Sequence, residues 1–318
     1  MFSIIKKKEN GFEELILKDN DSNTFAVILP VCGAILHAFE TTHNRSSINV
    51  IGSYTSADDF KNHAEAKGFL GTKLSPFVCR LRRGTYSFGG KKYTLEKFYF
   101  GKNALHGLLY NKSFKITGQT CNELHASVTM KYEYRAEDPG YPFNYDCIVT
   151  WQLEKENNLS VTTECINKDE GLIPMQDGWH PYFNLGDAID QLQLEFQSKE
   201  MVEFNSELIP TQNLIPYSEF NSLKKIGNTF FDNCFTLNMD ACQPLCVLRN
   251  PSKKIEIEIR PEKSYPYLQI YIPPHRKTIA IENLSGAPDA FNNGMGFITL
   301  EPGESALFKT SYKITLLK

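Results

Sequence analysis

Apolar and polar residues alternate with a period of two along most of the chain, and helical periodicity is scarce. In residues 254–260 every second residue is isoleucine and every intervening residue is charged. A strand with this pattern buries one face and exposes the other to water. Similar alternation runs through residues 125–134, 159–165 and 308–316. The pattern predicts that antiparallel sheet accounts for most of the chain.

Turn residues separate these runs. Gly89-Gly90 lies between two short strand-like segments and can supply the positive φ angles of a tight hairpin. Residues 137–140 read Glu-Asp-Pro-Gly and predict a second turn. One short helix is predicted over residues 57–62, where Ser56 can cap the first turn. No linker or repeat divides the chain, so we expect one large β-sandwich domain over residues 1–318.

Composition and charge narrow the possible partners. Hydrophobic residues make up 41% of the 318 residues and charged residues 22%, which is enough apolar material for a sizeable core. Lys and Arg number 34 against 37 Asp and Glu, and the lysine runs are too short for a surface that follows phosphates. We therefore expect no nucleic-acid partner.

The chain has no segment typical of a membrane span. Residues 24–39, which belong to the longest stretch without charged side chains, are fewer than the roughly 20 apolar residues that a membrane helix needs. Pro30, Gly33 and His37 interrupt this stretch, which instead predicts a strand, a turn and a strand. Three lysines follow Ile5 at once, so no signal peptide is expected either.

The cysteines indicate a reducing compartment. They are scattered, with no C-x-x-C pair and no zinc-finger spacing, and a chain of this size needs no disulfide staples. We expect buried or free thiols and a cytoplasmic protein. The eight positions are Cys32, Cys79, Cys121, Cys147, Cys165, Cys234, Cys242 and Cys246.

Glu282 is the first candidate for chemistry. It ends the apolar run of residues 278–281, after which the chain breaks into Ser, Gly, Pro, Asp and Asn. These residues force the backbone out of regular structure, so we expect Glu282 at the end of a strand, facing a loop, where a carboxylate can line a cleft. The alternative is a Glu that caps a turn or pairs with a surface Lys.

His180 is the second candidate. It lies in the stretch Trp-His-Pro-Tyr-Phe, residues 179–183. Aromatic faces can stack on the C–H face of a sugar ring, and the imidazole can give a proton to a sugar oxygen. The alternative is an aromatic core cluster that contains one hydrogen-bonded His.

Three further positions can contribute to binding. Arg80, with Arg82 and Arg83, precedes a hairpin and forms either a substrate clamp or a solvated basic loop. His106 is followed by glycine, as at a close backbone approach to a ligand, although a structural His has the same pattern. Asp232 follows two phenylalanines and is either a binding acid or a turn residue.

Common cofactor motifs do not occur in the sequence. The chain has no P-loop, no Rossmann glycine fingerprint, no H-E-x-x-H zinc helix and no G-x-S-x-G elbow. The chemistry that these residues offer is acid, base and hydrogen bonding, so we expect no metal and no cofactor.

Together these stretches resemble the aldose 1-epimerase family, the galactose mutarotase-like proteins. The specific parts are His-Pro-Tyr-Phe at residues 180–183 and Glu-Asn-Leu-Ser-Gly-Ala-Pro-Asp-Ala-Phe-Asn at residues 282–292. The resemblance spans nearly the whole chain. It implies a large antiparallel β-supersandwich with an open cleft, no metal and no cofactor. We expect a small-molecule sugar as substrate and a monomer or homodimer.

The resemblance also implies roles for the candidate residues. Glu282 matches the family's base and His180 its acid, while Arg80, His106 and Asp232 match residues that bind the ring oxygen or hydroxyls of the sugar. Interconversion of anomers needs such a pair, because the C1 hydroxyl must lose a proton while the ring oxygen gains one. A partly desolvated carboxylate is a suitable base, and an imidazolium with an ordinary pKa near 6.5 is a suitable acid.

The sequence departs from the best-known members of the family at several positions. It has Cys79-Arg80 where those proteins have Asn-Arg, a single glycine after His106, and Trp179 before His180 where Asn is frequent. The altered positions would line the part of the cleft that binds hydroxyls. Two other functions stay open: a hexose-6-phosphate 1-epimerase with a phosphate site at the arginines, and a carbohydrate-binding protein without catalysis.

Overall fold

A computed structural model describes residues 1–318 and contains thirty strands and two short α-helices. The first five strands form one antiparallel sheet in sequence order. They are β1 (Phe2–Glu9), β2 (Phe12–Asp19), β3 (Thr24–Leu29), β4 (Ile35–His43) and β5 (Ser46–Asn49). The strand, turn and strand predicted for residues 24–39 are confirmed by β3 and β4.

The predicted helix is also confirmed. After β6 (Ile51–Gly52), α1 runs over Ala57–His63, and the Ser56 side chain accepts a hydrogen bond from the Asp59 amide at 3.1 Å. This bond satisfies one amide that the first turn of the helix leaves without a partner. None of the helices combines the length and the apolar character that crossing a bilayer requires.

The segment after α1 consists of short strands. They are β7 (Thr72–Leu74), β8 (Arg80–Leu81), β9 (Thr85–Phe88), β10 (Lys91–Thr94), β11 (Tyr99–Phe100) and β12 (Asn103–Leu105), with a 3-10 turn at Arg82–Gly84. The hairpin predicted at Gly89-Gly90 is confirmed, because β9 and β10 pair on either side and both glycines have positive φ.

The remaining strands form most of two large sheets. In chain order they are β13 (Lys115–Cys121), β14 (His125–Arg135), β15 (Asn144–Glu154), β16 (Asn158–Asn167), β17 (Ile173–Met175), β18 (Gly178–His180), β19 (Tyr182–Phe183), β20 (Gln193–Phe196), β21 (Ser198–Phe204), β22 (Pro210–Pro216), β23 (Lys224–Lys225), β24 (Asp232–Leu237), β25 (Cys246–Asn250), β26 (Ile255–Pro261), β27 (Tyr267–Tyr271), β28 (Ile279–Leu284), β29 (Ile298–Leu300) and β30 (Ser305–Leu316). A 3-10 turn at Ile189–Gln191 and α2 (Ala290–Asn293) complete the elements.

Two nine-stranded sheets form the body of the protein. The first has the order β13-β14-β15-β16-β30-β26-β25-β20-β23. The second, here called the site sheet, has the order β22-β21-β24-β27-β28-β18-β7, with β19 and β6 attached beside β28. All strand pairs in both sheets are antiparallel, so the predicted all-β antiparallel class is confirmed.

Aromatic side chains fill the space between the two sheets. Trp151 of the first sheet packs on Trp179 of the site sheet with ring centroids 5.3 Å apart. Farther along, Phe196 and Phe235 pack at 4.8 Å. These contacts belong to one hydrophobic cluster of 62 buried residues that reaches from the first strand to the last. Such a continuous core supports a single domain over residues 1–318, which stays a prediction.

The position of Glu282 differs from the prediction. Glu282 was expected at a strand end, but β28 continues to Leu284, which places Glu282 inside the strand. The strand continues because the polar Asn283 is accommodated in the core, where its Oδ1 accepts a hydrogen bond from Thr310 at 2.8 Å. A buried polar side chain with such a partner does not end a strand.

The cysteines are all free. Cys121 and Cys242 are exposed, and the other six are buried.

A buried ion pair holds β18 between its neighbours. Lys73 Nζ of β7 lies 2.5 Å from Asp177 Oδ1, and both side chains are fully buried. The same ammonium donates to the Gly178 carbonyl at 3.1 Å and lies 4.5 Å from the centroid of the Trp179 ring. Tyr265 also donates to Asp177 at 2.6 Å. Because each charge has partners, the pair is tolerated in the core and fixes the chain just before His180.

We expect Lys73→Met to lower the free energy of unfolding by about 3–5 kcal/mol, since it leaves the Asp177 carboxylate buried without its cation. Denaturant unfolding followed by tryptophan fluorescence measures the loss. Lys91→Met, at an exposed position of β10, is the matched control and should change stability little. A loss for Lys73→Met no larger than that of the control would contradict this role.

Candidate active site

One cavity brings together all five candidate residues from five separate parts of the chain. Its volume is about 140 Å³, smaller than the roughly 300–1,000 Å³ of sites for drug-sized ligands. It therefore suits a ligand of about one sugar ring. The candidate residues that line it are Arg80, His106, His180, Asp232 and Glu282.

His180 and Glu282 are in direct contact in this cavity. His180 Nε2 lies 3.2 Å from Glu282 Oε1, and their side chains are only 5% and 2% exposed. The acid and base roles implied by the family resemblance had led us to expect the two groups to face each other across a sugar-sized hollow. Instead they meet on one wall of the cavity.

Strand β18 directs His180 into the cavity and Trp179 away from it. Successive residues of a strand point to opposite faces, so Trp179 packs in the core against Lys73 while His180 faces the site. Of the neighbouring aromatics only Tyr182 lines the cavity, with its ring stacked on His180 at a centroid distance of 5.1 Å. The expectation that Trp179 contacts a sugar is therefore wrong.

The site sheet supplies a row of polar side chains from three adjacent strands. Cys234 of β24 pairs with Gln269 of β27, and Gln269 pairs in turn with Glu282 of β28. Directly paired residues project from the same face of a sheet. Asp232 lies two residues before Cys234, hence on that same face, and its Oδ1 accepts a hydrogen bond from Gln269 Nε2 at 3.0 Å. Three rigid strands thus position the carboxylates.

Two segments outside the site sheet, the start of β8 and the residue after β12, bring Arg80 and His106 over this row. Cys79 and His106 both have positive φ, 47° and 63°, and the His106 amide donates to the Cys79 carbonyl at 2.9 Å. Non-glycine residues in this conformation carry strain, which is frequent at functional sites. A Cβ on Gly107 would lie 2.3 Å from the Ser75 carbonyl oxygen, so this glycine permits a close approach of two backbones.

The two histidines of the cavity have ring nitrogens without partners. The rings of His106 and His180 meet edge to face with centroids 4.8 Å apart. Nδ1 of each ring is buried and makes no hydrogen bond, and the same holds for Gln269 Oε1. Buried polar atoms are normally paired, so these atoms are candidates for contacts with a ligand.

Burial shifts the pKa values of the contacting pair in opposite directions. Desolvation raises the pKa of Glu282 well above its ordinary value, and the nearby Asp232 charge raises it further, against smaller opposing effects of Cys79 and Arg80. Desolvation also lowers the pKa of His180 to about 4. We expected an ordinary histidine pKa, and the depth of the site is why it differs. Both shifts disfavour the charged forms, so burial favours the neutral carboxylic acid and neutral imidazole over an imidazolium–carboxylate pair.

The other titratable groups of the cavity are also shifted by burial. The pKa of His106 is held well below its usual value by desolvation and then by the positive charges that His180 and Arg80 can carry. The pKa of Asp232 is raised by desolvation, against the opposing effects of Arg80 and Gln269. Arg80 is thus the positive group that stabilises acids in this cavity.

The three arginines do not converge. Arg80 lines the cavity, whereas Arg82 turns toward Asp289 and its side chain is 57% exposed. Arg83 is exposed and also does not line the cavity. The cavity has one arginine against three acids, because Glu65 joins Asp232 and Glu282 in its lining. This balance of charge does not favour a phosphate group.

No group of three or more His, Cys, Asp or Glu side chains is arranged to hold a metal ion.

Several lining residues were missed by the sequence analysis. Gln269 and Tyr271 lie on the cavity-facing side of β27. In the sequence they alternate with the apolar Leu268 and Ile270, a pattern that could have indicated a strand with one polar face. Phe69 packs edge to face on His106 at 4.8 Å, but nothing in its local sequence indicated this contact. Loop residues of this kind become visible only once the fold is known.

Comparisons with known proteins agree with this fold. The family model for aldose 1-epimerase matches residues 15–313, so the chain belongs to the aldose 1-epimerase family, a family of isomerases. It is 24% identical to an aldose 1-epimerase of Streptococcus thermophilus, over 98% of this chain and 97% of that protein. It is 26% identical to the uncharacterized protein YihR of Escherichia coli, over 74% of this chain and 76% of that protein.

A solved structure shows the same fold. A galactose mutarotase-like protein from Clostridium acetobutylicum superimposes with a TM-score of 0.87, covers 99% of both chains and is 18% identical. The predicted galactose mutarotase-like fold is confirmed.

We expect His180 to stay neutral in the sugar-free protein from pH 8 down to about pH 5, because burial lowers its pKa to about 4. Nitrogen-15 NMR of the imidazole measures its protonation, and His180→Gln identifies the signal by its loss. A midpoint near or above the ordinary value of about 6.5 would contradict this expectation, and a midpoint above it would indicate an imidazolium–carboxylate ion pair.

Proposed function

We propose that this protein interconverts the α and β anomers of an unphosphorylated aldohexose, with Glu282 as base and His180 as acid. The observation that carries the proposal is the 3.2 Å contact between these side chains in a cavity of one-ring size. In a pyranose, the C1 hydroxyl oxygen O1 and the ring oxygen O5 are both bonded to C1. The groups that exchange protons with O1 and O5 must therefore lie close together, as these two do.

The proposed reaction starts from the ionic form of the pair. Glu282 removes the proton from O1 while protonated His180 gives one to O5, and the C1–O5 bond breaks to leave an aldehyde. Rotation about the C1–C2 bond turns the other face of the aldehyde toward the O5 hydroxyl. Ring closure reverses both proton transfers, so the pair returns to its starting state and no net proton is gained or lost.

Burial favours both proton transfers. A carboxylate with a raised pKa is a stronger base, and an imidazolium with a lowered pKa is a stronger acid. Proton transfer to the sugar converts the buried ion pair into a neutral carboxylic acid and a neutral imidazole, the form that a low dielectric prefers. The ionic form has to be reached first, and the positive Arg80 and the sugar hydroxyls support the Glu282 charge in that form.

Arg80, His106 and Asp232 are proposed to hold the sugar. Arg80 donates hydrogen bonds and Asp232 accepts them, so together they suit vicinal hydroxyls. His106 approaches His180 from the side, with an unpaired Nδ1 that can contact the ring oxygen or a hydroxyl. Fixing the ring so that O5 faces His180 is a positioning contribution to the rate.

The charges in the cavity support a free sugar as substrate. A phosphate site needs several convergent donors, and of the three arginines only Arg80 lines the cavity. Glucose and galactose are therefore the first substrates to test, ahead of glucose 6-phosphate. The presence of both His180 and Glu282 supports an enzyme rather than a carbohydrate-binding protein without catalysis.

We expect Glu282→Gln to lower the rate of mutarotation by about 10²–10⁴-fold, because the amide cannot accept the O1 proton. Polarimetry of freshly dissolved α-D-glucose and α-D-galactose, corrected for the spontaneous rate, measures the change. Calorimetric titration with the same sugars should show that binding persists.

Glu164→Gln is the control for this experiment. Glu164 is a half-buried carboxylate of β16 with no ion pair, and it does not line the cavity. Its substitution should leave the rate unchanged. Near-wild-type turnover by Glu282→Gln would mean that another group is the base, and wild-type protein that binds sugar without accelerating mutarotation would be a binding module.

A further inference from the structure

We propose that the Cys79 thiol is a positioning residue for Glu282: its hydrogen bond to Oε2 holds the carboxyl group with Oε1 turned toward His180. This proposal rests on the proposed function and concerns the geometry of the same site. Cys79 Sγ lies 3.7 Å from Glu282 Oε2, a hydrogen-bond distance for sulfur, while His180 Nε2 lies 3.2 Å from Oε1. Each carboxyl oxygen thus has one partner.

The backbone fixes where the thiol lies. Cys79 has a φ of 47°, and its carbonyl accepts the His106 amide at 2.9 Å. Its side chain packs in a small apolar cluster with Leu74, Val78 and Leu284. Leu284 lies two residues beyond Glu282 on the same strand. The thiol and the carboxyl group are therefore held by one packed unit, with little freedom to separate.

Burial keeps the thiol in the form that can donate. Desolvation raises the pKa of Cys79 well above its ordinary value, and the charge of Glu282 raises it further, so the sulfur keeps its proton at neutral pH. A protonated thiol is a weak donor, and a carboxylate is a strong acceptor. Because Cys79 is only 5% exposed, water has little access to replace this bond.

The bond has an effect on the protonation of Glu282. A donor to a carboxylate stabilises its charged form and lowers its pKa, which opposes the increase caused by burial. Removing the donor should raise the pKa of Glu282 again. Groups that face Glu282 from the elements packed around it also contribute: His180, Tyr182, Asp232, Cys234, Arg80 and His106.

The pH profile of kcat/KM reports this effect, because it reflects the ionisation of the sugar-free enzyme. The Glu282–His180 pair is active while it holds one proton. It is inactive once that proton is lost from Glu282 at high pH, because no proton is then left for the acid His180. This loss of activity at high pH is the alkaline limb of the profile. We expect Cys79→Ala to move the alkaline limb to higher pH by about 0.5–1 pH units, the shift that corresponds to the loss of one modest hydrogen bond. Cys79→Ser should keep the limb at or below its wild-type position, because a hydroxyl is the stronger donor.

Cys32→Ala is the matched control. Cys32 is 5% exposed, as Cys79 is, but it packs with Phe12 and Leu29 away from the cavity. Its substitution removes the same sulfur atom and should leave the limb in place. A purely structural role of Cys79 would change stability or kcat without moving the limb, and that result would overturn the proposal.

A second measurement separates this proposal from the proposed function. Carbon-13 NMR of labelled glutamate carboxyls gives the pKa of Glu282 without catalysis, with the signal identified by its loss in Glu282→Gln. We expect a higher pKa in Cys79→Ala than in wild type and a lower one in Cys79→Ser. Wild type inactive on every aldose would refute the proposed function, whereas an unchanged Glu282 pKa in the folded variants would refute the role of Cys79.

Discussion

The contact between a carboxyl group and an imidazole inside a water-poor cavity is the constraint on which the rest of the structure depends. In water these groups would form an imidazolium–carboxylate pair of ordinary pKa values. Under the segments that carry Arg80 and His106, both charged forms lose hydration, so burial favours the neutral pair. The side chains of the pair are only 5% and 2% exposed, which limits their contact with water.

The sheets provide the rigidity that such a pair requires. Glu282 lies in the middle of β28, with paired strands on both sides, and His180 follows a segment that the buried Lys73–Asp177 ion pair ties to β7. Segments outside the site sheet bring Arg80 and His106 to the cavity, with positive φ angles at Cys79 and His106. In the proposed function, strands of the site sheet thus carry Glu282, His180 and Asp232, while Arg80 and His106 approach from outside that sheet.

Much of this architecture could be predicted from the sequence, because the alternation of apolar and polar residues along a strand indicates which side chains are buried. Strands β14, β16, β26 and β30 and the α1 cap followed from local patterns, and the five candidate residues that line the cavity followed from the family resemblance. Local patterns failed where a distant partner decides the outcome. Asn283 looked like the start of a loop, yet its Oδ1 accepts a hydrogen bond from Thr310 in the core, and the strand continues past Glu282. Likewise, the low pKa of His180 arises from burial by loops that its own neighbours in sequence do not indicate.

The most direct test of the central claim is a crystal structure of Glu282→Gln with glucose bound, since the slow variant keeps the sugar in place. The account predicts O5 within about 2.6–3.2 Å of His180 Nε2 and O1 beside the side chain of residue 282. A sugar bound outside the cavity, or one whose C1 end points away from His180, would contradict it.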